Sequence, residues 1–174
     1  MDLENLELVD GGDPILREKM PPFDFANPPV DPVELAKALV KKMVDEGGVG
    51  LSANQVGMPF RVFVIKAAPS FACFNPKIID KSTEETDLEE GCLSYPGVVV
   101  RVKRPAIIKV RYTWPNGDVK TEKLSGLSAK IFEHELDHLD GKKFTDSLSR
   151  LQLERLLAKH YKSTGKKIPL AKFL

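Results

Sequence analysis

The chain has 174 residues, a formal net charge of +1 from 26 Lys and Arg against 25 Asp and Glu, and 42% hydrophobic residues. This length fits one domain with its own hydrophobic core. The balanced charge argues against direct DNA binding, which requires an excess of basic residues to neutralise phosphates. The two cysteines are too few for a disulfide framework, no apolar run is long enough to span a membrane, and the amino terminus has no export signal. We therefore expect a cytoplasmic protein.

The first half of the sequence predicts an extended connector, a helix and a strand. Prolines make residues 20–30 unsuitable for a helix. Asp31 can cap a helix that begins at Pro32, whose apolar positions recur at helical spacing until Gly47 and Gly48. Residues 60–67 are β-branched and aromatic, which favours a buried strand.

The second half predicts a β region followed by two helices. We expect strands at residues 97–103, 106–113 and 118–124, the last two joined by a turn at 115–117. A helix is predicted from Leu127 to about Leu139, and a last helix from near Asp146 or Ser147. The predicted fold class is α+β: mixed or antiparallel β-sheets around a central helix, with an N-terminal helix and a short C-terminal helix.

Charge is unevenly distributed along the chain. Residues 80–90 contain six acidic residues and one basic residue, whereas residues 150–174 contain seven basic residues and one acidic residue. The simplest interpretation is a solvated helix face and a loose tail. The alternative is a basic tail that contacts an anionic partner.

Residues 134–138 read H-E-L-D-H within the predicted central helix. Because four residues return a helix to nearly the same face, His134 and His138 can reach one metal ion while Glu135 approaches a water on it. A catalytic ion needs a third protein ligand, and Cys92, 42 residues upstream of His134, is the best candidate. Cys73 lies in an apolar stretch and is interpreted as a buried hydrophobic residue.

Residues 48–57 form a glycine-rich segment that contains Gln55. Such a segment lets backbone approach a ligand closely, and the Gln55 amide can donate to an oxyanion. It is not a phosphate-binding loop, because no Gly-Lys-Ser/Thr follows.

Together these motifs resemble the peptide deformylase family. GVGLSANQVG is similar to that family's first motif, EGCLS matches its second and HELDHLDG its third, while DPILR and FNP resemble two flanking segments. The similarity runs from about residue 9 to residue 145. Ser52 differs from the alanine that is usual in the first motif, and it adds a polar group.

The resemblance implies hydrolytic removal of the formyl group from N-formylmethionine on nascent polypeptides, by attack of metal-activated water with release of formate. It implies one divalent ion held by Cys92, His134 and His138, with Fe²⁺ in the cell and Zn²⁺, Ni²⁺ or Co²⁺ as substitutes in a purified sample. Glu135 corresponds to the catalytic acid and base, and Gln55 with the Leu93 backbone N–H to the oxyanion donors. The substrate-binding positions implied are Val49, Gly50, Leu88 and Leu127, and the supporting ion pair is Glu90 with Arg104.

We expect one deformylase-like domain over residues 1–174, whose final residues, about 163–174, form a loosely ordered basic tail. The resemblance implies the ribosome as a candidate partner of the basic C-terminal region. Two alternatives remain. A zinc endopeptidase would need a third His or Glu ligand downstream, and we expect His160, the remaining histidine of the chain, to be a surface residue. A catalytically silent module could bind peptide termini in the same groove.

Overall fold

The computed structural model describes residues 2–173. It contains three α-helices and seven strands within that range. The helices are α1 (Pro32–Asp45), α2 (Gly126–Leu139) and α3 (Arg150–Thr164). The strands are β1 (Gly50–Ser52), β2 (Val62–Ile65), β3 (Phe71–Lys81), β4 (Glu85–Cys92), β5 (Tyr95–Pro105), β6 (Ile107–Thr113) and β7 (Val119–Ser125). Three 3₁₀ turns occupy Pro14–Arg17, Ala53–Val56 and Leu170–Lys172.

The helix ends follow local capping chemistry. The Asp31 carboxylate accepts the backbone N–H groups of Val33 and Glu34, so α1 begins where the sequence predicts. Helix α3 begins at Arg150 rather than near Asp146 or Ser147, because Ser149 and Gln152 form a capping box there. Helix α3 has 15 residues, whereas α1 and α2 have 14 each. The expectation of a short C-terminal helix is therefore wrong.

A five-stranded antiparallel sheet has the order β1-β2-β3-β6-β7 and lies between α1 and α2. Alternate residues of β2 explain this arrangement. Val62 and Val64 pack in the cluster that contains α1, while Phe63 and Ile65 pack in the cluster that contains α2. Because both faces of β2 are covered, the strand is continuously apolar, as its sequence indicates.

Strands β4 and β5 form a separate two-stranded antiparallel sheet. The acidic segment of the sequence is thus mainly a strand and not a solvated helix face, and it pairs with a basic strand. Asp87 lies opposite Lys103 and Glu89 lies opposite Arg101. Opposite charges in such cross-strand positions stabilise the pairing.

Helix α3 packs against β5, and its Leu153 and Leu157 lie in the same apolar cluster as Tyr95. The expectation of a loose tail does not hold at Phe173, which is 5% exposed and packs on the Tyr95 ring. Among residues 2–173, no helix has the length and apolar character of a membrane span.

Candidate active site

Helix α2 presents the two histidines of the H-E-x-x-H motif to one point. His134 and His138 lie one turn apart with ring centroids separated by 5.0 Å. The helix is amphipathic, and three apolar residues of one side, Phe132, Leu136 and Leu139, are buried against the five-stranded sheet. This packing fixes the rotation of α2 and directs both imidazoles toward the β4–β5 hairpin.

Cys92 ends β4 and brings the third donor atom to the histidines. Its Sγ lies 3.1 Å from His138 Nε2, and one donor atom from each of Cys92, His134 and His138 lies within 4.8 Å of the other two. The thiol is surrounded by two imidazoles. Burial raises the pKa of Cys92, but the charges and hydrogen bonds of His138 and His134 outweigh burial and lower it to about 5.

These three residues fit a divalent metal ion. A thiolate and two imidazole nitrogens are the donor types that bind borderline and soft cations, and three protein ligands leave a position for a reacting group. The 4.8 Å limit on the donor separations allows all three atoms to reach one ion at ordinary bond lengths.

A buried ion pair supports His134 from behind. Glu90 Oε2 lies 3.0 Å from His134 Nδ1, which leaves His134 Nε2 for the Cys92 side of the ring. Arg104 donates to both oxygens of Glu90 and donates to Asp137 Oδ2 at 2.8 Å. Burial raises the pKa of Glu90, but the hydrogen bonds from Arg104 and His134 outweigh it and lower the value to about 2. Glu90 therefore remains a carboxylate that orients the His134 ring.

Glu135 is held between Ser52 and Gly50. The Ser52 hydroxyl donates to Glu135 Oε2 at 2.7 Å and lies 3.0 Å from the Glu135 carbonyl oxygen. A Cβ at Gly50 would overlap the carboxylate, with Glu135 Cδ only 2.8 Å away. Burial raises the pKa of Glu135, against the lowering effect of His134, His138 and Ser52. A buried carboxyl with a raised pKa is suited to accept and return a proton.

Gln55 has one orientation in the site. Its Oε1 accepts the Ser52 backbone N–H at 2.9 Å, so its Nε2 faces Ser94 Oγ at 3.1 Å and Cys92 Sγ at 3.5 Å. Leu93 lies in the turn after Cys92, and no turn or loop hydrogen bond between residues 2 and 173 uses its backbone N–H. Two N–H donors thus lie beside Cys92.

A cavity of about 520 Å³ connects these groups. It brings together ten of the residues singled out in the sequence: Val49, Gly50, Gln55, Leu88, Glu90, Cys92, Leu93, Leu127, His134 and Glu135. His138 and Arg104 are buried behind the lining. Val49, Leu88 and Leu127 are 48%, 41% and 64% exposed, so apolar surface is available at the wall for a ligand side chain.

The sequence interpretation was wrong for His160 and correct for Cys73. His160 is only 8% exposed, and its Nδ1 lies 3.1 Å from the Gly97 carbonyl oxygen. Gly97 has φ +77°, and a Cβ there would lie 2.7 Å from the His160 ring, so the imidazole occupies space that only glycine leaves open. Cys73 is fully buried in the core, as predicted.

Some contacts were missed by the sequence reasoning. The roles of Ser94 and Asp137 depend on long-range contacts, although Asp137 lies within the H-E-L-D-H motif. Ser52 had a signal, because it replaces the usual alanine with a hydroxyl, but its partner Glu135 is 83 residues away.

Comparison with known proteins identifies the family. A protein-family model described as "Polypeptide deformylase" matches residues 5–154 of this chain. A peptide deformylase of Rhodopseudomonas palustris (strain BisB5) is 36% identical over 171 residues, covering 93% of this chain and 96% of the relative. One of Agrobacterium fabrum is 35% identical and covers 90% of this chain and 94% of the relative.

Solved structures agree with the sequence relatives. A peptide deformylase from Synechococcus elongatus in complex with actinonin superposes with a TM-score of 0.80 at 32% identity, covering 94% of this chain and 90% of that chain. The Thermotoga maritima peptide deformylase gives a TM-score of 0.76 at 35% identity, covering 83% of this chain and 97% of that chain. With the family model matching most of its length and relatives above 30% identity covering nearly all of it, this chain belongs to the polypeptide deformylase family.

Proposed function

We propose that Cys92, His134 and His138 hold the divalent ion of a peptide deformylase. The chain is a hydrolase of this family that removes the formyl group from N-formylmethionyl nascent peptides. The residue assignment rests on the convergence of one thiol and two imidazoles at the wall of one cavity, beside a buried carboxylate, Glu135. Formate and a free methionyl amine are the products.

The proton steps fall to Glu135. A bound divalent ion supplies Lewis acidity and lowers the pKa of water, so that a nucleophile is available near neutral pH. Glu135 accepts the proton of the attacking water and returns it to the leaving amine, while Ser52 holds its carboxylate in place. Gln55 Nε2 and the Leu93 N–H donate to the oxygen on which negative charge develops.

The substrate backbone and side chain have separate places. Gly50 begins β1, the edge strand of the five-stranded sheet, so its backbone groups are available to an extended peptide. Val49, Leu88 and Leu127 line the cavity and provide apolar contact for the methionine side chain.

We infer that Fe²⁺ is the ion in the cell and that Zn²⁺, Ni²⁺ or Co²⁺ can replace it in a purified sample. A thiolate with two imidazoles is compatible with each of these ions. An iron site next to a thiolate is sensitive to oxidation. Activity of a freshly purified sample is expected to decay faster in air than under anaerobic conditions, and equal decay would contradict the iron assignment.

The role of Glu135 is tested with a matched pair of variants. Glu135→Gln should retain the metal and lose about 10²-fold or more in kcat, since the proton acceptor is removed. Glu133→Gln is the control, because Glu133 lies on the same helix, is also buried and does not line the cavity. A metal-replete Glu135→Gln enzyme with full turnover would contradict the assignment.

The two alternative functions make different demands. A zinc endopeptidase would use a downstream His or Glu as its third ligand, and the remaining histidine, His160, contacts Gly97 and Thr164 instead. Cleavage of an internal bond in an unformylated peptide would favour that alternative. Binding of peptide termini without formate release from a metal-loaded sample would favour the silent module.

We also propose that residues 1–174 act as one catalytic unit in the cytoplasm, where nascent chains are made, and that the basic C-terminal region meets the ribosome. Several bases of this region are exposed, namely Arg155, Lys159, Lys162, Lys166 and Lys167. Replacing them with Glu should abolish salt-sensitive co-sedimentation with ribosomes while activity on a short formyl peptide is retained. Unchanged co-sedimentation would contradict the contact.

A further inference from the structure

The β4–β5 hairpin carries part of the active site but has little apolar attachment through β4. It is a separate sheet, and within β4 (Glu85–Cys92) Glu90 is the single buried residue, itself ionic. The apolar packing of the hairpin comes from β5, whose Tyr95, Val98 and Val100 are buried next to α3. A two-stranded hairpin is at best marginally stable alone, so side-chain hydrogen bonds from α2 contribute to where β4 and its Leu88 lie.

Lys130 of α2 makes one of these connections. It is 3% exposed, and its Nζ donates to the Thr86 carbonyl oxygen at 2.8 Å and to the Val102 carbonyl oxygen at 3.1 Å. Val102 lies directly opposite Leu88 in the register, and Thr86 is two residues before Leu88 on the same strand. The ammonium group thus joins α2 to both strands of the hairpin at the level of Leu88.

The surroundings of Lys130 are unusual for a lysine. No carboxylate lies within 4.0 Å of its Nζ across residues 2–173, and burial lowers its pKa. An ammonium buried without an ion-pair partner is unfavourable for stability. Lys130 also lines the active-site cavity, one helical turn before His134. Its aliphatic stem can thus form part of the wall while its ammonium holds the opposite wall.

A second connection reaches further along the hairpin, because Arg104 lies opposite Thr86 in the register but its side chain extends to Glu90 at the metal-binding end. Arg104 of β5 bonds Glu90, two residues before Cys92, and bonds Asp137 of α2. Arg104 therefore fixes the hairpin near the metal-binding cluster, whereas Lys130 fixes it near the apolar wall. This division separates metal binding from the shape of the side-chain pocket.

We propose that Lys130 is a positioning residue that determines selectivity for the first side chain of the substrate, by holding Leu88 against the pocket formed with α2. The proposal rests on the deformylase function proposed above. Loss of the ammonium lets the hairpin move at Leu88, so the pocket fits methionine less closely. A pocket with a poorer fit discriminates less between a long and a short apolar side chain.

The test compares kcat and KM for a formyl-Met tripeptide and the matching formyl-Ala tripeptide. Lys130→Met keeps an unbranched stem and removes the donors. We expect the ratio of kcat/KM between the two peptides to fall about tenfold, mainly through a higher KM for formyl-Met, with the metal content unchanged. If Lys130→Met is insoluble, Lys130→Gln, with a shorter stem, should change the ratio in the same direction.

Arg61→Met is the matched control. Arg61 donates to the Leu139 carbonyl oxygen at 3.3 Å and to Asp140 at 2.8 Å, so this variant also loses a connection to α2, but away from the cavity. It should lose stability and keep the wild-type ratio.

Two results would overturn the proposed role of Lys130 while leaving the proposed function intact. One is an unchanged kcat/KM ratio in a folded Lys130 variant, and the other is an equal fall of this ratio in Arg61→Met. A metal-loaded wild-type enzyme that releases no formate from either peptide would overturn the proposed function itself, and this outcome is distinct because it appears before any variant is compared.

Discussion

Gly50→Ala is the substitution that most directly tests how tightly Glu135 is held. The added Cβ would lie 2.8 Å from Glu135 Cδ and 2.9 Å from Cγ, whereas ordinary carbon contacts begin at 3.4 Å. The carboxylate must therefore move by about 0.6 Å or more, the difference between those distances. It cannot move freely, because Ser52 bonds Oε2 at 2.7 Å and the side chain is buried.

The size of the effect follows from this displacement. A misplacement of about 1 Å in a reacting group can cost on the order of 10²-fold in rate. We therefore expect kcat to fall roughly 10- to 100-fold, with smaller effects on KM, because Ala retains the Gly50 backbone groups. The metal content should not change, since Gly50 contacts none of the three donor side chains among its close neighbours.

Steady-state formate release from a formyl-Met tripeptide, combined with metal analysis of the same sample, measures both quantities. Gly12→Ala is the control, because Gly12 is exposed and a Cβ there meets only the Asp10 carboxylate, at 3.2 Å, and the Lys172 stem. A Gly50→Ala enzyme with wild-type kcat would refute the reasoning that a fixed Glu135 carboxylate drives turnover.

Three further predictions concern the groups around the cluster. Ser52→Ala removes a hydrogen bond that lowers the pKa of Glu135, so the pKa should rise and the acidic limb of the pH profile of kcat/KM should move to higher pH. An unchanged limb would contradict the assignment of Glu135 as the base. The pKa of Glu90 lies at about 2, below its ordinary 4.5, so its contribution to the free energy of unfolding is complete above pH 4.5 and is lost as the pH falls toward 2. In denaturation experiments, the stability of Glu90→Gln should therefore depend less on pH in this range than that of the wild type. An identical pH dependence would count against the ion pair. His138→Ala should lose both metal and turnover in metal analysis and formate assays, and full metal occupancy would exclude His138 as a ligand.

Local signals in the sequence were sufficient for α1, for α2 and for part of the site. Asp31 and Pro32 mark the start of α1 because capping involves only near neighbours. The H-E-x-x-H spacing is also a local signal, because helical geometry brings the imidazoles of His134 and His138 together next to Glu135. Cys92 was assigned from its motif and the chemistry of the donor set, and the structure places it next to His138.

Long-range packing explains what the sequence did not reveal. Strand β4 was not predicted, because its residues alternate among charges instead of hydrophobic residues, and its pairing with the basic β5 lies outside any local window. His160 was expected at the surface, but it fills the space above Gly97, 63 residues away. The sequence places Lys130 one turn before His134 and so on the same face of the helix. Its hydrogen bonds to Thr86 and Val102 could not be predicted, because they depend on the position of the hairpin.

Formate release by anaerobically purified, metal-analysed enzyme is the decisive test of whether this chain is a metal-dependent deformylase. The substrates are a formyl-Met tripeptide and its acetyl analogue, which differ by one methyl group at the reacting carbonyl. We expect one equivalent of divalent metal per chain and catalytic formate release, with little or no acetate released from the analogue. A metal-loaded sample that releases no formate would show that the chain is not a deformylase.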